Sequence, residues 1–288
     1  MPAQKPLVSV IILTTGFPEV LAQCLASLSK AKNGSPFEVI VVDNGSFTAK
    51  SIAAPHAFVS KVIENPDNKG FAFAVNQGFM AGHGKYFFLL NDDCLVLNHW
   101  LDSSVAVMAG HAGIAAVGSR LCADALDHAT DTGVCERLDV CGGAMLLSRK
   151  ALERVGLFDF MNFSPIYAEE TDWCLRAGRQ GYKIFRNDDS RIIHLKSFTV
   201  RRLFSDRERR LLLISHGFRC FLMNLHSLGV LKKFLRLALE EGSYSFIALP
   251  EALRKPTQLF RGWLFRLAGR APVTFKSFGP AHVGRPGS

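Results

Sequence analysis

The sequence predicts an α/β protein: a mostly parallel central sheet with helices on both faces, followed by a basic, mainly helical extension. Three observations predict it. Continuous apolar runs of strand length alternate with stretches of helical spacing, the pattern of strands buried on both faces. A polar cluster closes each of the early strands: TTG, DNGS, ENPDNKG and NDD. Charge is also divided along the chain. From Arg201 onward there are 16 Lys+Arg against 5 Asp+Glu, a net of +11, whereas the first 200 residues carry a net of −2. That shift sets the expected boundary: residues 1–200 as the body and 201–288 as the extension.

In order, VSVIILT reads as the first buried strand. Pro18 suits the first turn of a helix whose apolar positions Val20, Leu21, Cys24, Leu25 and Leu28 keep helical spacing. FEVIVVD is the second strand, closed by the turn signal NGS, and FVSKVIEN a weaker third. NKGFAFAVNQGFMAG gives a turn and a helix, and KYFFLLN a very apolar fourth strand. WLDSSVAVMAG is a helix and GIAAVGS a strand; GGAMLLS then leads into the short helix SRKALERVG, which Gly156 stops. LCADALDHATDTGVCERLDVCGG is polar, acidic and aperiodic, and reads as a long functional loop. EETDWCLRAGR opens with acids that complement a helix N-terminus. Its Asp172 and Arg176 are spaced to pair on the helix surface, and Gly181 ends the segment. In the extension, KKFLRLALEE and RGWLFRLAGR read as short amphipathic helices, with Trp263 and Phe265 among basic groups. This pattern suits in-plane contact with an anionic membrane surface, the alternative being a helical cap docked on the body.

Composition excludes several classes. With 48% hydrophobic and 20% charged residues, the chain is globular. Seven Cys without a CxxC pair or Cys/His zinc spacing argue against a disulfide framework and a structural zinc site. They fit a reducing, cytoplasmic compartment. MPAQKPLVSVIILTTGF imitates a signal peptide but has no small-residue cleavage site. LLLISHGFRCFLMNLHSLGVL carries two His and an Arg, too polar for a bilayer span. Neither GxxxxGK[ST] nor GxGxxG occurs, which excludes an NTPase phosphate loop and an NAD fold. Nothing resembles a nucleic-acid module.

In a parallel sheet the four polar clusters share the carboxyl edge, where open α/β folds bind ligands. Asp92 and Asp93 interrupt the apolar run KYFFLLNDDCLVL there. Buried carboxylates are costly unless neutralised, and a divalent cation shared with phosphate oxygens neutralises them.

VSVIILTTG, EVIVVDNGS, NKGFAFAVNQG, FLLNDD, GGAMLLSRKALERVGLFD, EETDWCLRAGRQGYKI and IIHLKS, in this order over roughly Val8 to Ser197, resemble the inverting family-2 glycosyltransferases of the GT-A fold, particularly their rhamnosyltransferase-like branch. The resemblance implies a nucleotide-diphosphate sugar as donor, a glycan or lipid-linked acceptor, and Mn2+ or Mg2+. Thr14, Thr15 and Asp43 would line the base and ribose pocket; Asp43 otherwise caps the turn before Gly45. Asn68, Lys69, Gly70 and Asn76 would approach the nucleotide, or NKG is simply a turn. Asp92 and Asp93 match the acidic metal motif usually written DxD, whose first position is Asn91 here. Asp93 is then the metal ligand and Asp92 a contact to ribose, sugar or metal-bound water. His194 would close the metal site; a lone His on an apolar strand is otherwise a core or surface imidazole. Glu170 occupies the position of the catalytic base, with Glu169 as the other candidate. Two further readings share the scaffold. A sugar-nucleotide-forming nucleotidyltransferase needs a Gly/Arg-rich loop after the first strand, which TTGFPEV lacks. A non-catalytic nucleotide-sugar or glycan-binding protein does not need two adjacent glutamates.

Overall fold

The structure is a computed structural model describing residues 5–124, 132–195, 198–224, 228–242, 244–254 and 256–279. Its elements are β1 (Val8–Thr14), α1 (Pro18–Lys30), β2 (Phe37–Asn44), α2 (Ala49–Ala53), β3 (Val59–Asn65), α3 (Phe71–Ala81), β4 (Tyr86–Asn91), β5 (Cys94–Val96), α4 (Trp100–Gly110), β6 (Ile114–Cys122), β7 (Val134–Arg137), β8 (Ala144–Ser148), α5 (Arg149–Val155), α6 (Phe160–Phe163), α7 (Glu169–Arg179), β9 (Lys183–His194), α8 (Phe198–Leu203), α9 (Asp206–Met223), α10 (Leu228–Glu241), α11 (Tyr244–Ala252), α12 (Pro256–Leu267) and α13 (Phe275–Phe278).

The strands form one sheet of order β3-β2-β1-β4-β8-β6-β9-β5, with β7 paired to β9. As expected, β3, β2, β1 and β4 are parallel. The far half is mixed, while six of the nine strands (β1, β2, β3, β4, β6 and β9) share one direction, in keeping with the expected mostly parallel sheet. There β8 runs antiparallel to both β4 and β6, and β9 runs parallel to β6 but antiparallel to β5 and β7. An apolar run reports burial on both faces but not strand direction, so GGAMLLS could be read as a strand without its orientation.

Side-chain alternation divides the core in two. Val8, Val10 and Ile12 of β1 pack with Leu21 and Leu25 of α1 and Trp100 of α4 on one face. Ile11 and Leu13 pack on the other with Val75 and Phe79 of α3, Leu152 of α5 and Trp173 of α7. The five apolar positions expected for α1 are its buried residues.

Three expectations change. The segment read as a long loop contains β7, which pairs with β9, and residues 125–131 lie outside the described residues. Asp172 and Arg176 do pair at 2.9 Å, but inside the protein rather than on the helix surface. In the extension, Arg266 of α12 is not a solvated base. It is buried and bonds Asp172 Oδ1 at 2.7 Å and Asp159 Oδ2 at 3.0 Å. Burial favours the neutral acid at Asp172, yet the Arg266 and Arg176 charges outweigh it and hold the carboxyl below its usual range. This side of α12 docks on the body, as a cap would, while Leu264 and Phe265 face outward. Among the described residues, no helix is long and apolar enough to cross a membrane.

Candidate functional site

In the sheet order, β1 lies between β2 and β4, whose connections leave in opposite directions. That switch point is where the carboxyl ends of strands open a crevice. The ends of β1 and β4 deliver Thr15, Asn91, Asp92 and Asp93 to a cleft there, joined by Asn44 from β2 and Asn68 from the following turn.

Asp93 is buried, and its Oδ2 accepts the Phe198 backbone N–H at 2.9 Å. Its Oδ1 lies 3.3 Å from His194 Nε2, without the alignment of a hydrogen bond. The antiparallel register of β5 and β9 pairs Cys94 with His194, so the thiol joins the same cluster. Cys94 was missed in the sequence because cross-strand neighbours depend on a pairing no local pattern encodes. Burial, and then the Asp93 charge, pushes its thiol well above the usual range, so it stays protonated. Asp92 Oδ1 accepts Thr199 Oγ1 at 3.0 Å, while its Oδ2 is buried without a partner. Burial and the neighbouring Asp93 charge raise the Asp92 carboxyl to about 7, against the lowering effect of bonds from Thr14 and Thr199. The Asp93 carboxylate and the orphaned His194 Nε2, with their ligand atoms and the Cys94 thiol all within 4.8 Å of one another, form a donor set that suits a divalent cation of the Mn2+ or Mg2+ kind, and Asp92 Oδ2 is a further orphan in the same cleft.

The remaining expected residues divide. Thr14 is buried against Asp92, and Thr15 Oγ1 is an orphan in the cleft. Asp43 is committed to its own turn: Oδ1 accepts Ser46 N at 2.7 Å and Ser46 Oγ at 2.6 Å, and Oδ2 accepts Thr48 N at 2.9 Å and Ala49 N at 3.0 Å. Burial raises its pKa, but these bonds win and hold it low. The capping role therefore accounts for Asp43, and its neighbour Asn44 reaches the cleft instead. Asn44 donates to Asn68 at 2.8 Å, and Asn68 accepts Gly70 N at 2.9 Å, which fixes the turn before α3. Lys69 pairs with Asp67 away from the cleft. Asn76 does not reach the site; its amide is buried on α3 and bonds Phe158 O at 2.9 Å and Phe158 N at 3.1 Å. The sequence placed it on the helix after the NKG turn, but not on which face.

Glu169 and Glu170 begin α7, entered through Tyr167 and Ala168 at φ 82° and 71°. Left-handed backbone at two non-glycine residues is strained and must be held by its surroundings. The hold is visible: Arg176 Nη1, Trp173 Nε1 and Arg176 Nη2 donate to the carbonyls of Val155, Gly156 and Leu157 at 2.8, 2.7 and 2.8 Å. α7 is thus riveted to the end of α5. Glu169 is buried with Oε2 unpartnered, and burial together with the Glu170 charge drives its pKa well up. A Cβ at Gly142 would meet Glu170 at 3.3 Å, and one at Gly143 would meet Asn91 Nδ2 at 3.3 Å. Bare backbone before β8 therefore lies between Glu170 and the end of β4. The Cys141 thiol feels Glu170, Asp139 and Asp93 together.

The cleft at Asp93 holds only about 80 Å³, and Thr199, Val200 and Leu203 of α8 line it. Phe198 also packs edge-on against Phe17, with centroids 5.7 Å apart. A small-molecule pocket runs to roughly 300–1,000 Å³. Neither α8 nor its bonds to the two aspartates was legible in sequence.

Residues 9–132 match the protein family Glycosyl transferase family 2, a span that includes Asp92 and Asp93 but ends before α7. No curated protein sequence matches. Among solved structures, the chain is similar to the mannosyltransferase PcManGT from Pyrobaculum calidifontis in complex with GDP-Man and Mn2+, with 19% identity, a TM-score of 0.58, and coverage of 93% of this chain and 87% of that one. It is also similar to GalNAc-T7 with UDP, GalNAc and Mn2+, with 15% identity and a TM-score of 0.62, covering 96% of this chain. It spans 56% of that second protein's length. The fold is therefore the GT-A fold of nucleotide-diphospho-sugar glycosyltransferases.

Proposed function

We propose that the protein is an inverting glycosyltransferase that moves a sugar, in the manner of the rhamnosyltransferase-like branch, from a nucleotide-diphosphate donor to the hydroxyl of a glycan or lipid-linked acceptor. The carrying observation is the convergence at one sheet edge: the Asp93–His194 cluster next to Asn91 at the end of β4, and Glu170 against the neighbouring Gly142–Gly143 backbone. The GDP-Man of one solved structure and the UDP and GalNAc of the other, both in complexes with Mn2+, support the same reading.

Asp93 and His194 would hold Mn2+ or Mg2+, with Asp92 beside them. When bound, the ion supplies charge neutralisation for the diphosphate leaving group. Thr15, Asn44 and Asn68 offer polar atoms to the nucleoside end. Glu170 takes the proton of the acceptor hydroxyl as its oxygen bonds to the anomeric carbon; the bond from that carbon to the diphosphate breaks, and its electron pair leaves with the diphosphate. Glu169, held protonated by burial, lends no second negative charge to compete with Glu170. Residues 1–200 form the catalytic unit in this reading, and the extension from 201 works at an anionic membrane surface in the cytoplasm.

Thermal shift with a panel of sugar nucleotides, each with and without manganese, tests the proposal. One donor should raise Tm in a manganese-dependent way, and the same donor should be hydrolysed slowly without acceptor. A shift without any hydrolysis would indicate a binding protein; no shift with any donor would remove the proposal.

A further inference from the structure

Glu170 also stands at the polar end of a cavity of about 400 Å³ between α7 and α9. Asp139 and Thr171 share that end, with Thr171 Oγ1 donating to Asp139 at 2.8 Å. The rest of the lining is mostly apolar, with Leu138, Leu175, Leu213, Cys220 and Phe221 beside Tyr167. At the rim, Leu138 is 48% and Leu213 38% exposed, large apolar side chains left facing water. Arg236 and Glu240 also line the cavity but satisfy each other at 2.7 Å. A free oligosaccharide, with hydroxyls on every side, would meet few polar partners along this wall and leave them unpaired.

We infer that this cavity receives the apolar chain of a lipid-linked acceptor, whose hydroxyl is thereby presented to Glu170. The inference rests on the glycosyl-transfer reading and names the substrate class for the same site. The cavity's gradient is that of an amphiphile: carboxylates where a hydroxyl must give up its proton, apolar carbon beyond. The surface continuing from the rim fits the same substrate. Leu239, beside Glu240, is 82% exposed, and Ile247 and Phe260 are exposed on α11 and α12 with Arg254 and Arg261 near them in sequence. Apolar residues interleaved with basic ones suit an anionic bilayer, the source of a lipid-linked acceptor.

The test titrates full-length protein with dansyl-labelled farnesol, read by blue-shifted fluorescence. Saturable binding is expected in the wild type. It should weaken at least tenfold in a Leu138→Asp/Leu213→Asp double variant and stay unchanged in Leu249→Asp, an exposed α11 position outside the cavity. The exposed positions allow the variants to fold, which their Tm verifies. The Tm shift with sugar nucleotide and manganese, measured in parallel, should be the same in all three proteins. Probe binding that ignores the double variant, or tighter binding of maltotriose than of the probe, overturns the inference even if the donor shift is present. Absence of the donor shift in every protein would instead remove the glycosyl-transfer reading while leaving the apolar site standing.

Discussion

Glu169 and Glu170 adjoin in sequence, yet one has a carboxyl oxygen sealed away without a partner and the other lines an open cavity. The helix N-terminus they share favours the ionised form of both; at Glu169 burial overrides it. This has a sign. The folded state keeps the Glu169 proton to higher pH than the unfolded chain, so the associated stability is full below the ordinary value of 4.5 and is lost as pH rises toward the raised folded value. Glu169→Gln should flatten the fall in denaturant midpoint as pH rises above 4.5, whereas a parallel slope in both proteins would assign that fall to another group. Glu170→Gln should lower kcat by roughly a hundredfold or more with donor affinity nearly unchanged, and Glu169→Gln should do less. The reverse ranking in steady-state kinetics would move the base to Glu169. Asp93→Asn should abolish the manganese-dependent part of the donor Tm shift while preserving the fold; a retained shift would take Asp93 out of the metal site.

At the scale of elements, α8 covers the cleft at Asp92 and Asp93. Its Phe198 N–H and Thr199 hydroxyl occupy the carboxylates that a metal and nucleotide would use. In the proposed reading, donor binding displaces α8, and the cost of opening weakens apparent affinity. The Phe198–Phe17 ring contact is one part of that cost, at about 0.5–1.5 kcal/mol. Phe198→Ala should tighten donor Kd by roughly two- to tenfold in calorimetry; weaker binding would mean that Phe198 contacts the donor instead. The same helix marks the limit of sequence reading. β1 to β4 were legible because continuous apolar runs and Gly- or Asn-rich turns are local signals, and Asp92 and Asp93 stood out against them. Glu169 and Glu170 were legible through their order in the chain. What pairs at a distance was not: Cys94 with His194, Thr199 with Asp92, Arg266 with Asp172. Nor did residue type separate Asp43, consumed by its turn, from Asn44 at the cleft.

For the whole molecule, Arg266 ties the extension to the body through two buried acids. Removing one partner of a buried ion pair leaves charge without compensation, so Arg266→Ala should cost about 3–5 kcal/mol in urea unfolding. A loss below about 1 kcal/mol would mean that Arg176 and Asn224 suffice for Asp172. Vesicle binding should require anionic lipid and weaken with salt if the outward face of the extension meets a membrane. Co-sedimentation that ignores salt would leave the extension with only its docking role. The bond from Arg266 to Asp172 also spans 94 residues, which bears on how the protein is made. A ribosome adding roughly 5–20 residues per second leaves Asp172 without this counter-ion for about 5–20 s after its own synthesis. Through that interval Arg176 is the counter-ion at hand for Asp172, and α7 is held to the end of α5 by Arg176 and Trp173. A nascent chain stalled before Arg266 would thus carry every candidate site residue while Asp172 still lacked one of its two buried counter-ions.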